Sequence, residues 1–260
     1  MSNLLPTHDV SMSDVIGVRI SSTAHLASIS LPECSVKLSV IVPTFNEEAL
    51  IAETLRRVVA VLAPYELIVA DGCSADRTAE FARPFATVLA LKMTRGGALN
   101  RAAAIATGEV LLFLHADTML PMGAAAAIEA ALQHPEVIGG AFRLRFDHPG
   151  RLPALVARHV NFRSSLSNVF FGDQAMFVRR DVFVQAGGFK DWSVMEDMEI
   201  LARLRPHGRL ALLDEAVVTS ARRHREKGWV RTIGTIWIMT LLHTLGVSSH
   251  ALIRWYKPHR

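Results

Sequence analysis

With 260 residues, half of them hydrophobic and 20% charged, the chain can bury a sizeable core, as one large domain or a domain with an appendage. A net charge of +4 and a pI near 9.4 suit an anionic partner such as a nucleotide, a phospholipid surface or a nucleic acid, and do not select among them; a mean hydropathy of +0.27 keeps a membrane contact in view. The only two cysteines, Cys34 and Cys73, stand far apart and without ligand spacing, which disfavours a disulfide framework or a thiolate metal site and suits free thiols in a reducing cytosol.

Residues 1–36 are rich in Ser and Thr and have no basic stretch followed by an apolar one, so a secretory signal is not expected there. They are expected to be a poorly ordered leader or an extra edge strand. Leu38-Ser39-Val40-Ile41-Val42-Pro43 predicts a first strand, ended by a proline that cannot continue a central ladder. Thr44-Phe45-Asn46-Glu47-Glu48 is a turn, with Asn46 expected as the N-cap of a helix and the glutamates at the positive end of its dipole. That helix is predicted to run to about residue 63, with Leu50, Ile51, Leu55, Val58, Val59 and Leu62 on its apolar face and Pro64 as its stop.

Glu66-Leu67-Ile68-Val69-Ala70-Asp71 predicts a second strand ending in an acid, ahead of a glycine-containing loop over residues 72–78. Asp71 suits hydrogen bonds from a base or ribose; alternatively the stretch is a capped turn in which Ser74 and Asp76 satisfy their own backbone. A third strand is expected over 87–92. In Thr94-Arg95-Gly96-Gly97-Ala98-Leu99-Asn100, two glycines let the backbone approach a ligand and Arg95 can pair with phosphate, or the stretch only starts an alanine-rich helix over 97–107.

The unbroken apolar run from Val110 to Leu114 predicts a strand buried on both faces, and it delivers His115-Ala116-Asp117 to its C-terminal edge. Asp117 there can hold a divalent cation and, through it, a diphosphate; alternatively it caps a helix beginning near Pro121. The pattern so far is βαβαβαβ, which implies a mostly parallel sheet with helices on its faces. Three strand ends present polar residues, at 43–47, 71–76 and 115–117, and their convergence on one edge predicts a nucleotide site.

Beyond this lie a predicted helix over 123–133 and a strand over 138–146 with Arg143 and Arg145 on one face. A helix over 152–168 follows, carrying Arg158, His159 and Arg163. Gly172-Asp173-Gln174 forms a second glycine–acid edge before a strand. A short helix over 179–186 is closed by Gly187 and Gly188. Glu196 and Asp197 open a helix running to about residue 205, as dipole partners or as the source of a general base. Two short strands are expected over 209–213 and 216–220.

The ordered set Ser39-Val40-Ile41-Val42-Pro43-Thr44-Phe45-Asn46-Glu47-Glu48, Asp71-Gly72-Cys73-Ser74-Ala75-Asp76-Arg77-Thr78, Phe113-Leu114-His115-Ala116-Asp117-Thr118 and Met195-Glu196-Asp197 resembles a family 2 glycosyltransferase with the GT-A nucleotide-diphospho-sugar fold. The resemblance covers about residues 37–225. It implies a Rossmann-like, mostly parallel mixed sheet flanked by helices, with residues 226–260 left as an apolar and basic helical segment. It implies that Pro43, Phe45, Glu47 and Asp71 surround a nucleotide; Thr44, Arg95, Asn100, His115 and Ala116, on the same strand ends and loop, join that candidate site. It further implies that Asp117 is the last acid of a metal-binding Asp-x-Asp motif for Mn2+ or Mg2+, and that Asp197, beside Glu196, is the candidate base of an inverting transfer to an acceptor hydroxyl on a lipid or small molecule, with Gly172, Asp173 and Gln174 expected on the acceptor side. The chain departs from the motif at His115, which replaces the first acid and is a weak ligand, a donor to ribose or a packed histidine.

In Arg222-Arg223-His224-Arg225-Glu226-Lys227, Arg223 or His224 can close over the diphosphate and His224 can complete a metal shell; alternatively the cluster is a solvated loop or a contact for anionic lipid. The apolar stretch 233–247 is shorter than the ~20 residues a membrane span needs. With Trp229, Trp237, Trp255 and Tyr256 at its edges, it suits a helix in the membrane interface, at a homodimer contact or packed on the domain. No nucleic-acid partner is expected. The expected location is the cytoplasm, with a peripheral place on the inner face of the membrane as the alternative. Two other functions compete: a nucleotidyltransferase, disfavoured because Pro43-Thr44-Phe45-Asn46-Glu47 stands where a glycine-rich basic loop belongs, and a non-catalytic nucleotide or lipid-surface binder, disfavoured by the presence together of Asp71, Asp117 and Asp197.

Overall fold

The computed structural model describes residues 36–63 and 66–255. The expectations for the leader, for Cys34, for Pro64 and for Tyr256 lie outside these residues. Eight strands form one mixed sheet: β1 (Leu38–Thr44), β2 (Glu66–Asp71), β3 (Thr87–Ala90), β4 (Val110–Phe113), β5 (Thr118–Met119), β6 (Val137–Phe146), β7 (Met176–Arg179) and β8 (Arg209–Thr219). Their spatial order is β3-β2-β1-β4-β7-β6-β8-β5. The β1–β2, β1–β4 and β2–β3 pairs are parallel, as the βαβ crossovers require. The sheet changes character at β7, which runs antiparallel to both β4 and β6. Beyond it, β6 and β8 pair in parallel and β5 antiparallel to β8.

Alternation along β1 separates two cores. Leu38, Val40 and Val42 pack with Ile51, Leu55, Val58 and Leu62 of α1 (Ile51–Leu62) and Ile128 of α4 (Ala124–Leu132). Ile41 faces the other way, with Ala98, Leu99 and Ala102 of α3 (Arg95–Ile105). That second core also holds Val182 and Phe183 of α6 (Arg180–Gln185) and Ile200, Leu201 and Leu204 of α7 (Glu196–Leu204). A short helix, α2 (Thr78–Ala82), follows the β2 loop, and α5 (Arg151–Ser167) flanks β6. The sheet is thus sandwiched, and the C-terminal ends of β1, β2 and β4 open on one rim.

Several local expectations are corrected. Asn46 does not cap α1; it sits in the left-handed region (φ 55°), and the helix starts only at Ile51. Asparagine is among the few side chains that tolerate that conformation, and its amide oxygen here accepts from the N–H of Ala75 on the facing loop at 2.9 Å. Val59 is exposed, and Thr54 and Val61 complete the buried face of α1 instead. The third strand stops at Ala90. The two strands expected over 209–220 are one, β8, in which Asp214 and Glu215 are exposed in a bulge: Phe142 of β6 pairs with Leu213 and Arg143 with Ala216. The two-residue strand β5 carries too few residues to show a period.

After α8 (Arg222–Lys227), the chain forms α9 (Trp229–Thr244) and α10 (Ser249–Trp255). Met239 and Leu252 are buried with Val194, Ser249 Oγ donates to Val194 O at 2.9 Å, and Trp237 stacks on His159 of α5 at 5.2 Å. Among the described residues no helix is long and apolar enough to cross a membrane.

Candidate active site

The rim of β1 and β2 is built from polar groups that satisfy one another. Buried Asp71 accepts hydrogen bonds from Thr44 Oγ1 (3.1 Å), from Ser74 N (3.0 Å) and from the Ser74 hydroxyl. The two loops are then stitched across: Asn46 N donates to Ser74 Oγ (2.8 Å), Glu47 N to Thr78 Oγ1 (2.8 Å), and Arg77 N to Glu48 Oε2 (3.0 Å). Ser74 and Asp76 also bond within their own turn, so the capped-turn alternative holds locally, while Ser74 and Thr78 serve the neighbouring loop as well. Phe45 lies over Gly72, where an added Cβ would sit 3.0 Å from the ring. Pro43 and Phe45 remain partly exposed on this rim.

A cleft of about 210 Å³ lies beside it. Arg95, His115, Asp117, Gly172, Asp173, Glu196, Asp197, Arg223 and His224 all line it, although they come from five separate segments. The alternative that Asp117 caps a helix fails: α4 begins at Ala124 after Gly123, with no side-chain cap. Burial raises the Asp117 carboxyl, opposed by the positive charges of Arg223 and Arg222. Glu47 links rim and cleft. Its carboxylate takes both oxygens to Arg222 Nη2 (3.0 and 2.8 Å), and burial and the nearby negative charge of Asp117 raise its pKa against that pairing.

Glu196 is 5% exposed and pairs with Arg95 Nε at 2.7 Å. Burial, with the Asp197 charge adding to it against Arg95, pushes Glu196 up to about 7. Asp197 is partly exposed; its two oxygens accept from Gly172 N (2.7 Å) and Met198 N (2.8 Å). Met195, just ahead of the pair, is held at φ 62°, a conformation costly for a side chain other than glycine or asparagine. Gly172 is a close approach: a Cβ there would fall 2.5 Å from His115 Nε2. Asp173 is pushed up to about 6 by burial and by the negative charges of Asp197 and Asp117, and its Oδ1 is buried without a hydrogen-bond partner among the described residues.

His115 accepts a contact from Arg95 Nη2, and burial beside Arg95 and Arg223 holds its pKa well below the usual range, so its ring is neutral. His224 is also neutral, lowered to about 4 by burial and then by Arg223. Its ring packs on Phe146 (5.0 Å) and Trp229 (4.4 Å), and its Nδ1 is buried without a partner among the described residues.

Other candidates stand outside the cleft for physical reasons. The amide of Asn100 is committed to Phe189, donating to its carbonyl (2.7 Å) and accepting from its N–H (2.8 Å). Ala116 is buried and its carbonyl accepts from Thr54 Oγ1 at 2.5 Å. Gln174 is fully buried, bonding Phe142 O, Phe171 N and Ser164 Oγ behind the site. Gly96 meets protein rather than ligand, since a Cβ there would fall 2.0 Å from Lys190 O. Sequence reasoning missed Arg222 as the partner of Glu47, Phe146 as a cleft wall, and Ile236 and Met239 of α9, which also line the cleft. Arg222 at least stood in the basic run; the apolar wall residues had no signal to separate them from core.

No group of three metal-binding side chains converges among the described residues. An ion such as Mg2+ keeps waters and can be held by one or two carboxylates together with phosphate oxygens. Asp117 and the unpartnered oxygen of Asp173 are the carboxylate donors of the cleft that would suit such an ion, while Nδ1 of His224 is unpartnered in a ring packed on Phe146 and Trp229.

The sequence profile described as glycosyl transferase family 2 matches residues 39–187. No curated protein matches the chain in sequence. Among solved structures, the mannosyltransferase PcManGT from Pyrobaculum calidifontis, in complex with GDP-Man and Mn2+, is 24% identical with a TM-score of 0.57, covering 70% of this chain and 56% of its own. S. aureus TarS 1-349 in complex with UDP-GlcNAc is 22% identical with a TM-score of 0.53, covering 71% and 58%. Mannosyl-3-phosphoglycerate synthase from Rubrobacter xylanophilus is 19% identical with a TM-score of 0.54, covering 82% and 76%. The chain therefore spans little more than half the length of the first two, and at these identities the likeness concerns the fold. With the profile matched over more than half of its residues, the chain belongs to glycosyl transferase family 2.

Proposed function

We propose that the chain transfers a sugar, with inversion, from a nucleotide-diphospho-sugar to an acceptor hydroxyl, and that it does so with a divalent metal, Mn2+ or Mg2+. The observation that carries this is the convergence of Asp117, Asp173, Glu196 and Asp197 with Arg95 and Arg223 in one cleft beside the rim of β1 and β2. Structures of similar fold hold GDP-Man with Mn2+ and UDP-GlcNAc, which supports a donor of this class.

The nucleoside lies on the rim, against Pro43, Phe45 and the stitched Thr44–Asp71 pair, and Glu47 is positioned by Arg222. The diphosphate faces Arg95 and Arg223. Asp117 would hold the cation, with His224 at hand, and the cation would supply Lewis-acid stabilisation of the leaving diphosphate. Asp197 takes the proton of the acceptor hydroxyl. Glu196 is enclosed and paired with Arg95, so its role is to position that guanidinium. Gly172 and Asp173 face the acceptor. The acceptor oxygen attacks the anomeric carbon from the side opposite the diphosphate, and a single displacement inverts the configuration.

Residues 37–225 form the catalytic domain in this reading, and 226–260 a C-terminal segment whose exposed Trp237, Ile238, Leu241 and Leu245 suit a membrane surface or a second copy. The expected location is cytoplasmic, with peripheral binding to the inner membrane face. The test is Asp197→Asn: transfer is lost and nucleotide binding is kept. Surviving transfer would move the role of base to Glu196 or Asp173.

A further inference from the structure

A second cavity, of about 960 Å³, lies between β6 and α5 and takes no part in the donor chemistry above. It follows from the shortness of β7. That strand pairs with β6 only at Gly139 and Gly140, so the next stretch of β6 has no strand beside it on that side. Two side chains stand in for the ladder: Gln174 Nε2 donates to Phe142 O (3.1 Å), and Asn161 of α5 accepts from Leu144 N (2.8 Å) and donates to Leu144 O (3.0 Å). Past Asn161, the end of β6 and the start of α5 part to leave the groove.

Its walls are apolar, with Phe146, Pro153, Ala154, Ala157 and Phe162. Its rim is basic. Arg145 and Arg158 line it, are exposed, and have no hydrogen bond or ion pair among the described residues. Arg143, by contrast, is tied to Asp214 at 2.9 Å, and Asp147 on the same rim accepts from Ala221 N at 2.7 Å. No acid occurs on α5. Phe146 borders both this groove and the cleft that holds Asp197.

We propose that this groove binds the acceptor, and that the acceptor is an amphipathic molecule bearing an anionic phosphate. The phosphate sits on Arg145 and Arg158, where charge-assisted hydrogen bonds to two guanidiniums without protein partners complement it. The apolar part lies along Pro153, Ala157 and Phe162. The reacting hydroxyl passes Phe146 into the cleft. There its proton goes to Asp197, its oxygen bonds to the anomeric carbon, and the bond to the diphosphate breaks to release the nucleoside diphosphate. This assignment rests on the glycosyl-transfer reading and names the acceptor class that reading left open.

The test is calorimetric titration of the full chain with n-decyl phosphate below its micelle concentration, with 1-decanol and with glycerol 3-phosphate, while UDP and GDP are titrated into the same preparations. Decyl phosphate should bind saturably and about tenfold or more tighter than either half-molecule. The double variant Arg145→Gln/Arg158→Gln should weaken decyl phosphate about tenfold with the nucleotide titration unchanged. Equal binding of decanol and decyl phosphate, or an unaffected double variant, overturns the anionic site. Glycerol 3-phosphate binding as tightly as decyl phosphate overturns the apolar half and points to a soluble phosphate. Failure of both nucleotides to bind overturns the donor reading instead, and the decyl phosphate titration still decides the groove.

Discussion

The two halves of the site handle their charges in opposite ways. On the rim of β1 and β2, the polar groups are partnered at folding: Asp71 is held by Thr44 and Ser74, and loop backbone is bonded by the side chains of the facing loop. In the cleft, carboxylates are crowded and under-partnered. Asp173 has an orphaned oxygen, Glu196 is enclosed between the Arg95 guanidinium and the Asp197 charge, and Asp117 is raised by burial. The first half resembles a finished cradle, which costs little reorganisation when a rigid group such as a nucleoside is bound. The second half stores unfavourable electrostatics that a cation and a charged leaving group would relieve, and such perturbed groups mark where chemistry is done.

Substitutions on the two sides should therefore fail differently. The largest effect is expected for Asp197→Asn, which should lower transfer by about 10²–10⁴-fold. Its melting temperature and nucleotide affinity should stay near wild type, as kinetics, calorimetry and titration would show. Asp71→Asn should behave in the converse manner. It weakens bonds that close the rim, so stability falls by about 1–3 kcal/mol in denaturant unfolding and nucleotide affinity falls with it. If Asp71→Asn left both unchanged, the cradle would not be pre-assembled by that carboxylate.

Smaller effects should sharpen the contrast. Asp173→Asn removes a buried charge that Asp197 and Asp117 repel, so in metal-free protein it should raise stability. The sign follows from linkage. A carboxyl raised from 3.8 to about 6 favours the protonated fold, so wild-type stability falls as pH rises through that window. The variant should be more stable above pH 6 and similar to wild type at the low end. Glu196 adds the same sign over a neighbouring window, from 4.5 to about 7. Melting temperature measured against pH should decline across it, and Glu196→Gln should flatten that decline; a wild-type profile rising with pH there would contradict the burial argument.

Much of the rim was legible because it is local. Apolar runs gave β1, β2 and β4, and each deposits its polar residues at the same end by topology alone. The cleft was legible only in part. The Glu196–Asp197 pair showed as two acids at a helix start, but its link to Arg95 across about 100 residues of sequence carries no local mark. Asn100 looked like a ligand-side amide, yet its partner is the backbone of Phe189, which only tertiary packing supplies. The bulge at Asp214 and Glu215 split one strand into two on paper, because two exposed acids break the alternation on which strand reading depends. Helix α9 had a composition that suited membrane, dimer or core; its inward residues, Ile236 and Met239, wall the cleft, and its outward ones remain exposed.

The central claim is that rim and cleft together act on a nucleotide-diphospho-sugar. It is tested most directly by incubating the full chain with a panel of such donors plus Mn2+ and following donor hydrolysis in the absence of acceptor. Slow hydrolysis of at least one donor is expected, lost on chelation and in Asp117→Asn. A chain that binds a nucleotide, yet leaves every donor intact with the metal present, would contradict it.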